Sequence, residues 1–393
     1  MLRKLCLWVV LPISGTAMAA APKFPLGQAY SEQIGAGDLI GVTSLSVAPD
    51  SQGAVYILAN WNIASQQSIL TKLTPAGELA YKTTVPYTAS GMAVDPAGNA
   101  YVAGSNFVEK FGTDGKTVLY QTVFGGSFVT PYGIAVDATG RAYVTGTVQS
   151  GQLKATPGAF QQNPPSPDNA LAGFVVRLTP SGAIDYGTYL GNSQPAGIAV
   201  DSAGSAFVVG TNSANLPITR GAYLTSGYAF LVRLSPDGSA LTYSTYTEGG
   251  AACCVAVDSA DYAVVALQNA GGSGTAVMRF NPQGTGIAFS KVLPTALPAG
   301  LAVDAAGNTY VASWWVSNNY SPKNSLSPCA AGGSSALTVL DGHGDVLQST
   351  YIAGILNYAP TFPAIALGVD SAVYLVGARA DEPYLSSAHV FQA

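Results

Sequence analysis

Residues 197–210 read GIAVDSAGSAFVVG. Apolar residues alternate up to Val200, a turn runs from Asp201 to Gly204, and a second alternating run goes from Ala206 to Val209. Two runs of period two around an Asp- and Gly-bearing turn make a β-hairpin. The wording returns at 91–104 (GMAVDPAGNAYVAG), 133–146 (GIAVDATGRAYVTG) and 300–313 (GLAVDAAGNTYVAS). Looser copies lie at 44–59 (SLSVAPDSQGAVYILA), 254–267 (CVAVDSADYAVVAL) and 366–378 (ALGVDSAVYLVGA), which makes seven.

A second hairpin follows most copies, most clearly at 174–191 (FVVRLTPSGAIDYGTYLG) and 230–250 (FLVRLSPDGSALTYSTYTEGG). Two hairpins give a four-stranded antiparallel sheet, and sheets this short must stack on one another to bury their faces. Repetition with stacking points to a β-propeller. The words at 197–210 and 230–246, together with TPGAFQ at 156–161, resemble those of the bacterial SBBP repeat proteins, named for the seven-bladed β-propeller. That resemblance spans nearly the whole chain beyond its leader and implies a fold and a secreted context. It implies no catalytic residues.

At the N-terminus, Arg3 and Lys4 precede an apolar run from Leu5 to Ile13, and Ala17-Met18-Ala19 supplies small residues for cleavage after Ala19 or Ala20. This is the pattern of a secretory signal peptide over 1–20, too short and too broken by Pro12 and Gly15 for a membrane anchor. No later run is long enough to span a bilayer, so a soluble, monomeric product is expected outside the cytoplasm. Residues 21–393 then form one all-β domain of about 53 residues per repeat, a reasonable length for a four-stranded blade. Residues 30–37 (YSEQIGAG) read like the tail of a second hairpin, while the seventh copy has none of its own. The N-terminal segment is therefore expected to lend an outer strand to the last blade and close the ring.

Composition narrows the function classes. With 48% hydrophobic residues the chain can build a core, and with 9% charged residues, a net charge of −5 and no basic cluster it lacks the footprint of a nucleic-acid binder. Asp95, Asp137, Asp201, Asp258, Asp304 and Asp370 recur at the end of the first strand. A ring of carboxylates invites calcium, but hard cations need several oxygens converging in one loop. An Asp opening a turn more often accepts that turn's own amides. Lys72, Lys110, Arg177, Arg233 and Arg279 recur on the third strand, and either pairing between the two sets or solvation of the strand edges is expected. No cofactor or metal is called for.

Variation between copies marks the candidate site. The connections at 147–173, 211–229 and 314–335 are long and are expected on one face of the disc, where repeat proteins carry their function. There Trp314, Trp315 and Tyr320, with Trp61 after the first copy, could stack on sugars or anchor a protein; covering the loop's own apolar underside is the competing role. Cys253 and Cys254 enter the fifth copy and Cys329 lies in the long loop of the sixth. In an oxidising compartment, a disulfide from Cys253 or Cys254 to Cys329 is expected. The proline-rich 155–168 reads as scaffold, with 215–223 and 386–392 as weaker copies of its TPGAFQ word.

Catalytic machinery is sparse: His343 sits in a turn, His389 lies near the C-terminus, and no HExxH, GxSxG or phosphate-cradling loop occurs. The expectation is a non-catalytic exported scaffold binding a protein or polysaccharide of the cell envelope or matrix. The alternative is a secreted polysaccharide hydrolase or lyase with its site on the loop face of the propeller.

Overall fold

The structure, a computed structural model, describes residues 4–12, 26–33, 45–62, 66–166, 171–214, 216–269, 274–316, 321–324, 335–352, 364–368 and 372–379. It is an all-β propeller. Six blades are each built from four consecutive antiparallel strands: blade 1 (45–85), blade 2 (91–123), blade 3 (129–189), blade 4 (192–247), blade 5 (252–293) and blade 6 (295–352). The sequence expects seven such units; six are found. The chain ends share one further sheet, in the order Leu26–Gln33, Lys4–Pro12, Val373–Arg379, Ala364–Leu367. Lys4–Pro12 is the apolar run read above as part of a leader.

Each blade begins on its inner strand and ends on its outer one. The GIAVD words are the inner strands, which touch one another from blade to blade. The core lies between sheets, since each blade is too thin to bury its own faces. Tyr101 and Val108 of blade 2 pack on Val144 and Phe174 of blade 3, all fully buried. Phe207 and Leu231 of blade 4 likewise meet Val265 and Met278 of blade 5.

The recurrent Asp closes its turn as expected. Asp201 Oδ1 accepts from the amides of Ala203 and Ser205, and Asp304 Oδ1 from those of Ala306 and Asn308. The remaining oxygen ties the hairpin to its neighbours. Tyr56, Tyr101 and Tyr143 donate both to the carboxylate of their own turn and to the carbonyl of Gly98, Gly140 and Gly204 in the next blade, at 2.7, 2.9 and 3.3 Å. Burial pushes these phenols up, Tyr143 to about 12, so they remain donors at neutral pH. In blades 4 and 5 the tyrosine is replaced by Phe207 and Val264, and an arginine takes its place: Arg233 and Arg279 reach Asp201 and Asp258 at 2.6 and 2.5 Å.

The expected pairing therefore holds for Lys110, Arg233 and Arg279, but Lys72 pairs with Asp50, outside the expected set, and Arg177 with Asp185 instead of Asp137. Two positions in the carboxylate set are also corrected. The amide of Asp50 bonds to the carbonyl of Ala54 and its Oδ1 accepts from Gln52 and Ala54, so Asp50 is the recurrent Asp of blade 1, which sequence alignment missed. In the terminal sheet the equivalent bond runs from Gly368 to Ala372, so a glycine holds that place; Asp370 is outside the described residues.

A second link joins the blades at their rims. The outer-strand rings of Tyr120, Tyr186, Tyr243 and Phe289 lie under Gly182, Gly238, Gly284 and Gly344 of the following blade, each a turn glycine with positive φ. A Cβ on Gly238 would stand 2.5 Å from the Tyr186 ring, so the glycine is required twice, for its backbone and for its lack of a side chain.

Candidate functional site

Where the inner strands converge, they enclose an open cavity of about 700 Å3. Its wall includes one equivalent position from each of the six blades: Ser46, Gly91, Gly133, Gly197, Cys254 and Gly300. Small residues are forced there by crowding. A Cβ on Gly133 would approach Ile198 to 3.1 Å, and one on Gly197 would approach the Cys253 carbonyl to 2.8 Å and Cys254 Cα to 3.3 Å.

One residue earlier, four inner strands carry the same irregularity. Pairing skips Tyr132, Ala196, Cys253 and Ala299 in blades 3 to 6, so each is the extra residue of a β-bulge. A bulge re-aims the residues around it and bends its strand. Here it also explains the glycine that ends the motif: a Cβ on Gly146 or Gly210 would collide with the carbonyl of Thr130 or Gln194, pushed across by the bulge. All four bulge residues line the cavity. Two are alanine. The two that differ are Tyr132, 52% exposed, and Cys253.

Cys253 is bonded to Cys254. This corrects the expected bridge to Cys329, which lies outside the described residues. In a regular strand consecutive side chains point to opposite faces and adjacent cysteines stay apart. The bulge suspends that alternation, and the pair closes on itself within the cavity wall. Sequence spacing alone did not suggest this, because a bulge is a property of two strands in register.

Polar groups on the wall are neutral. Gln194, Thr211, Ser46, Ser90 and the Tyr132 hydroxyl are present, with the backbone of the inner strands; no Asp, Glu, Lys, Arg or His lines the cavity among the described residues. Outward from it, blade 3 carries an exposed apolar strip. Phe128, whose carbonyl accepts from the Gln149 amide, is 61% exposed, and Leu171, which pairs with Gln149, is 52% exposed.

The aromatic residues singled out from the sequence are placed differently. Trp61 falls inside the strand Val55–Asn62, and Trp314 and Trp315 inside Thr309–Val316, all with paired or strand backbone where an open loop was expected. Tyr320 lies outside the described residues. The TPGAFQ word is scaffold: Gln161 exchanges bonds with Thr188, Tyr189 and Gly191 along the outer strand of blade 3, and the Phe160 amide donates to Gly238 of blade 4. This part of the long connection thus guards a sheet edge. His343 is exposed in the turn between the third and fourth strands of blade 6. Among the described residues no cluster of three or more His, Cys, Asp or Glu could hold a metal ion, and no helix is long and apolar enough to cross a membrane.

No family model and no curated protein matches the chain. Solved structures do. A selenomethionine-substituted virginiamycin B lyase from Staphylococcus aureus superposes with a TM-score of 0.50 at 12% identity, over 86% of this chain and 94% of the lyase. The WD40 repeats of RRP9 give 0.57 at 11% identity, over 88% and 96%. Hydrazine synthase from Kuenenia stuttgartiensis gives 0.50 at 14%, over 72% and 71%. At such identities the likeness establishes the β-propeller fold and nothing of the chemistry.

Proposed function

We propose that this protein is an exported, non-catalytic binding propeller of the SBBP type whose axial cavity receives the end of a neutral glycan chain. The observation that carries the reading is the cavity wall. Among the described residues the wall carries no Asp, Glu, Lys, Arg or His; its polar groups are hydroxyls, one carboxamide and backbone amides. Those groups suit a hydroxyl-rich, uncharged ligand. A volume of about 700 Å3 falls within the usual range for small-ligand sites. Beside it the exposed rings of Tyr132 and Phe128 offer flat apolar faces on which sugar rings stack.

The terminal sheet completes a seventh blade in this reading. Its strand Val373–Arg379 packs on blade 1 through Tyr374 and Val376 and on blade 6 through Val373 and Leu375. Export is supported by the leader-like N-terminus. Cleavage after Ala19 or Ala20 removes Lys4–Pro12, so the terminal sheet of the mature chain then lacks its third strand; N-terminal sequencing of the secreted protein tests this directly.

The binding test is an array of neutral and charged oligosaccharides probed with the full chain, Tyr132→Ala and Gln194→Ala. Saturable binding to neutral chains, lost in both variants, is the expected result. Retention only of charged chains, or binding unaffected by either substitution, refutes the site.

A further inference from the structure

We propose that the Cys253–Cys254 disulfide is a redox-controlled element of the axial site: in the oxidised form it shapes the wall for ligand, and a dithiol reductant opens it and releases the ligand. The inference rests on the binding reading above for its ligand, and on the geometry of the bulge for its switch.

Three observations converge. The disulfide lies in the wall of an open cavity and both cysteines are partly exposed, so a small dithiol can reach the sulfurs. It occupies places that two neighbouring blades fill with Ala196-Gly197 and Ala299-Gly300, so the fold does not require cysteine there. Its backbone also presses on the next inner strand, with Gly197 against the Cys253 carbonyl and Cys254 Cα. While the bond exists, both side chains are held together on one side of the bulge. Once it breaks, they are free to separate as neighbours in a strand normally do.

The step balances simply. One thiolate of the dithiol attacks a sulfur of the pair, forming a mixed disulfide and expelling the other cysteine as thiolate; the second thiol of the reductant then displaces the remaining cysteine. Two electrons and two protons pass to the protein, which gains two thiols, and the reductant leaves as a cyclic disulfide. Two thiols then stand where a compact apolar ring stood, against the strand that carries Gln194 and Gly197.

The test uses the full chain and Cys253→Ala/Cys254→Gly, which restores the Ala-Gly pair of blades 4 and 6 and so keeps the fold. Peptide mapping of the protein alkylated without reductant should show residues 253 and 254 joined. Calorimetry with maltohexaose, cellohexaose and chitohexaose, before and after dithiothreitol, should show affinity for at least one sugar falling tenfold or more on reduction. The variant should bind like the reduced protein and ignore dithiothreitol. Equal affinity in all three states overturns the switch while leaving the binding site standing. If no sugar binds the oxidised protein, the glycan reading fails, and hydrogen exchange at 196–198 and 251–255 decides the switch. Exchange accelerated tenfold on reduction supports it; unchanged exchange overturns it. A bridge from either cysteine to Cys329 overturns it outright.

Discussion

Replacing Gly238 by alanine measures how tightly one blade is keyed into the next. Gly238 has φ +73° and is buried, and its added Cβ would meet Tyr186 ring carbons at 2.5 to 2.7 Å. Gly158 is the internal control: its φ is +82°, it is exposed, and nothing lies within 4 Å of its added Cβ. Both substitutions incur the left-handed backbone cost of about 1 to 2 kcal/mol, and both reduce the freedom of the unfolded chain alike. Only Gly238→Ala must also displace a ring held in the interface, at about 1 to 3 kcal/mol more. Urea unfolding followed by intrinsic fluorescence should place Gly158→Ala about 1 to 2 kcal/mol below wild type and Gly238→Ala about 2 to 5 below it. A second arm, Gly238→Ala combined with Tyr186→Leu, should recover part of the loss, because the obstacle is the ring. If the two single substitutions cost the same, the ring is not wedged beneath the glycine and the interlocking of blades argued above is wrong.

Other expectations follow from the same contacts. Arg233→Met should destabilise by about 3 kcal/mol, since Asp201, 1% exposed at its side chain, loses its cation; a change under about 1 kcal/mol by chemical denaturation would contradict the bridge. For Asp95, burial alone would raise the carboxyl, but hydrogen bonds from the Asn99 side chain and amide and from Tyr101, with the charge of Lys110, prevail and lower it. A folded pKa below the unfolded one means stability that is present above the unfolded value near 3.8 and lost as pH falls through the lowered one. Carboxyl carbon NMR of labelled protein should find Asp95 titrating below 3.8, and a midpoint above it would reverse the assignment of causes. Excising 156–161 and joining the ends with glycines should leave the axial cavity intact but uncover the outer edge of blade 3. Self-association at high concentration, read by light scattering, is the expected outcome, and a monodisperse product would deny the word its edge-guarding role.

What was legible in the sequence is what depends on near neighbours. The Asp turn and the flanking strands are completed within a dozen residues, so GIAVDSAGSAFVVG announces its own hairpin. The pairing of Arg233 with Asp201 could be anticipated because both recur at fixed places in the repeat. Asp50 is hidden in the sequence because Pro49 stands where the GIAVD wording has valine, although the Asp50-Ser51-Gln52-Gly53 turn has the same length and the same hydrogen bonds. The axial site was illegible for a different reason. It takes a few residues from each blade, many of them small or apolar, and such residues carry no chemical signal until the ring brings them together. Trp314, Trp315 and Cys253 are conspicuous as residue types, but that Cys253 and Tyr132 line the cavity follows only from the bulges at those positions.

The links repeated from blade to blade run one way, although single contacts such as Lys154 Nζ to the Val123 carbonyl run back. Tyrosine hydroxyls, arginine guanidiniums and outer-strand rings reach forward from one blade, and glycine carbonyls and bare turn glycines receive them on the next. Blades 2 to 5 therefore carry a plug on one side and a socket on the other, as in any head-to-tail assembly, where the rotation between units and not the contact chemistry sets how many fit. A gene segment encoding one whole blade, duplicated in place, arrives with a fitting partner on either side. Blade number can then drift by copying, with no new contact having to be invented, and a copy of blade 3, 4, 5 or 6 brings one more bulge to the axis as raw material for a different ligand.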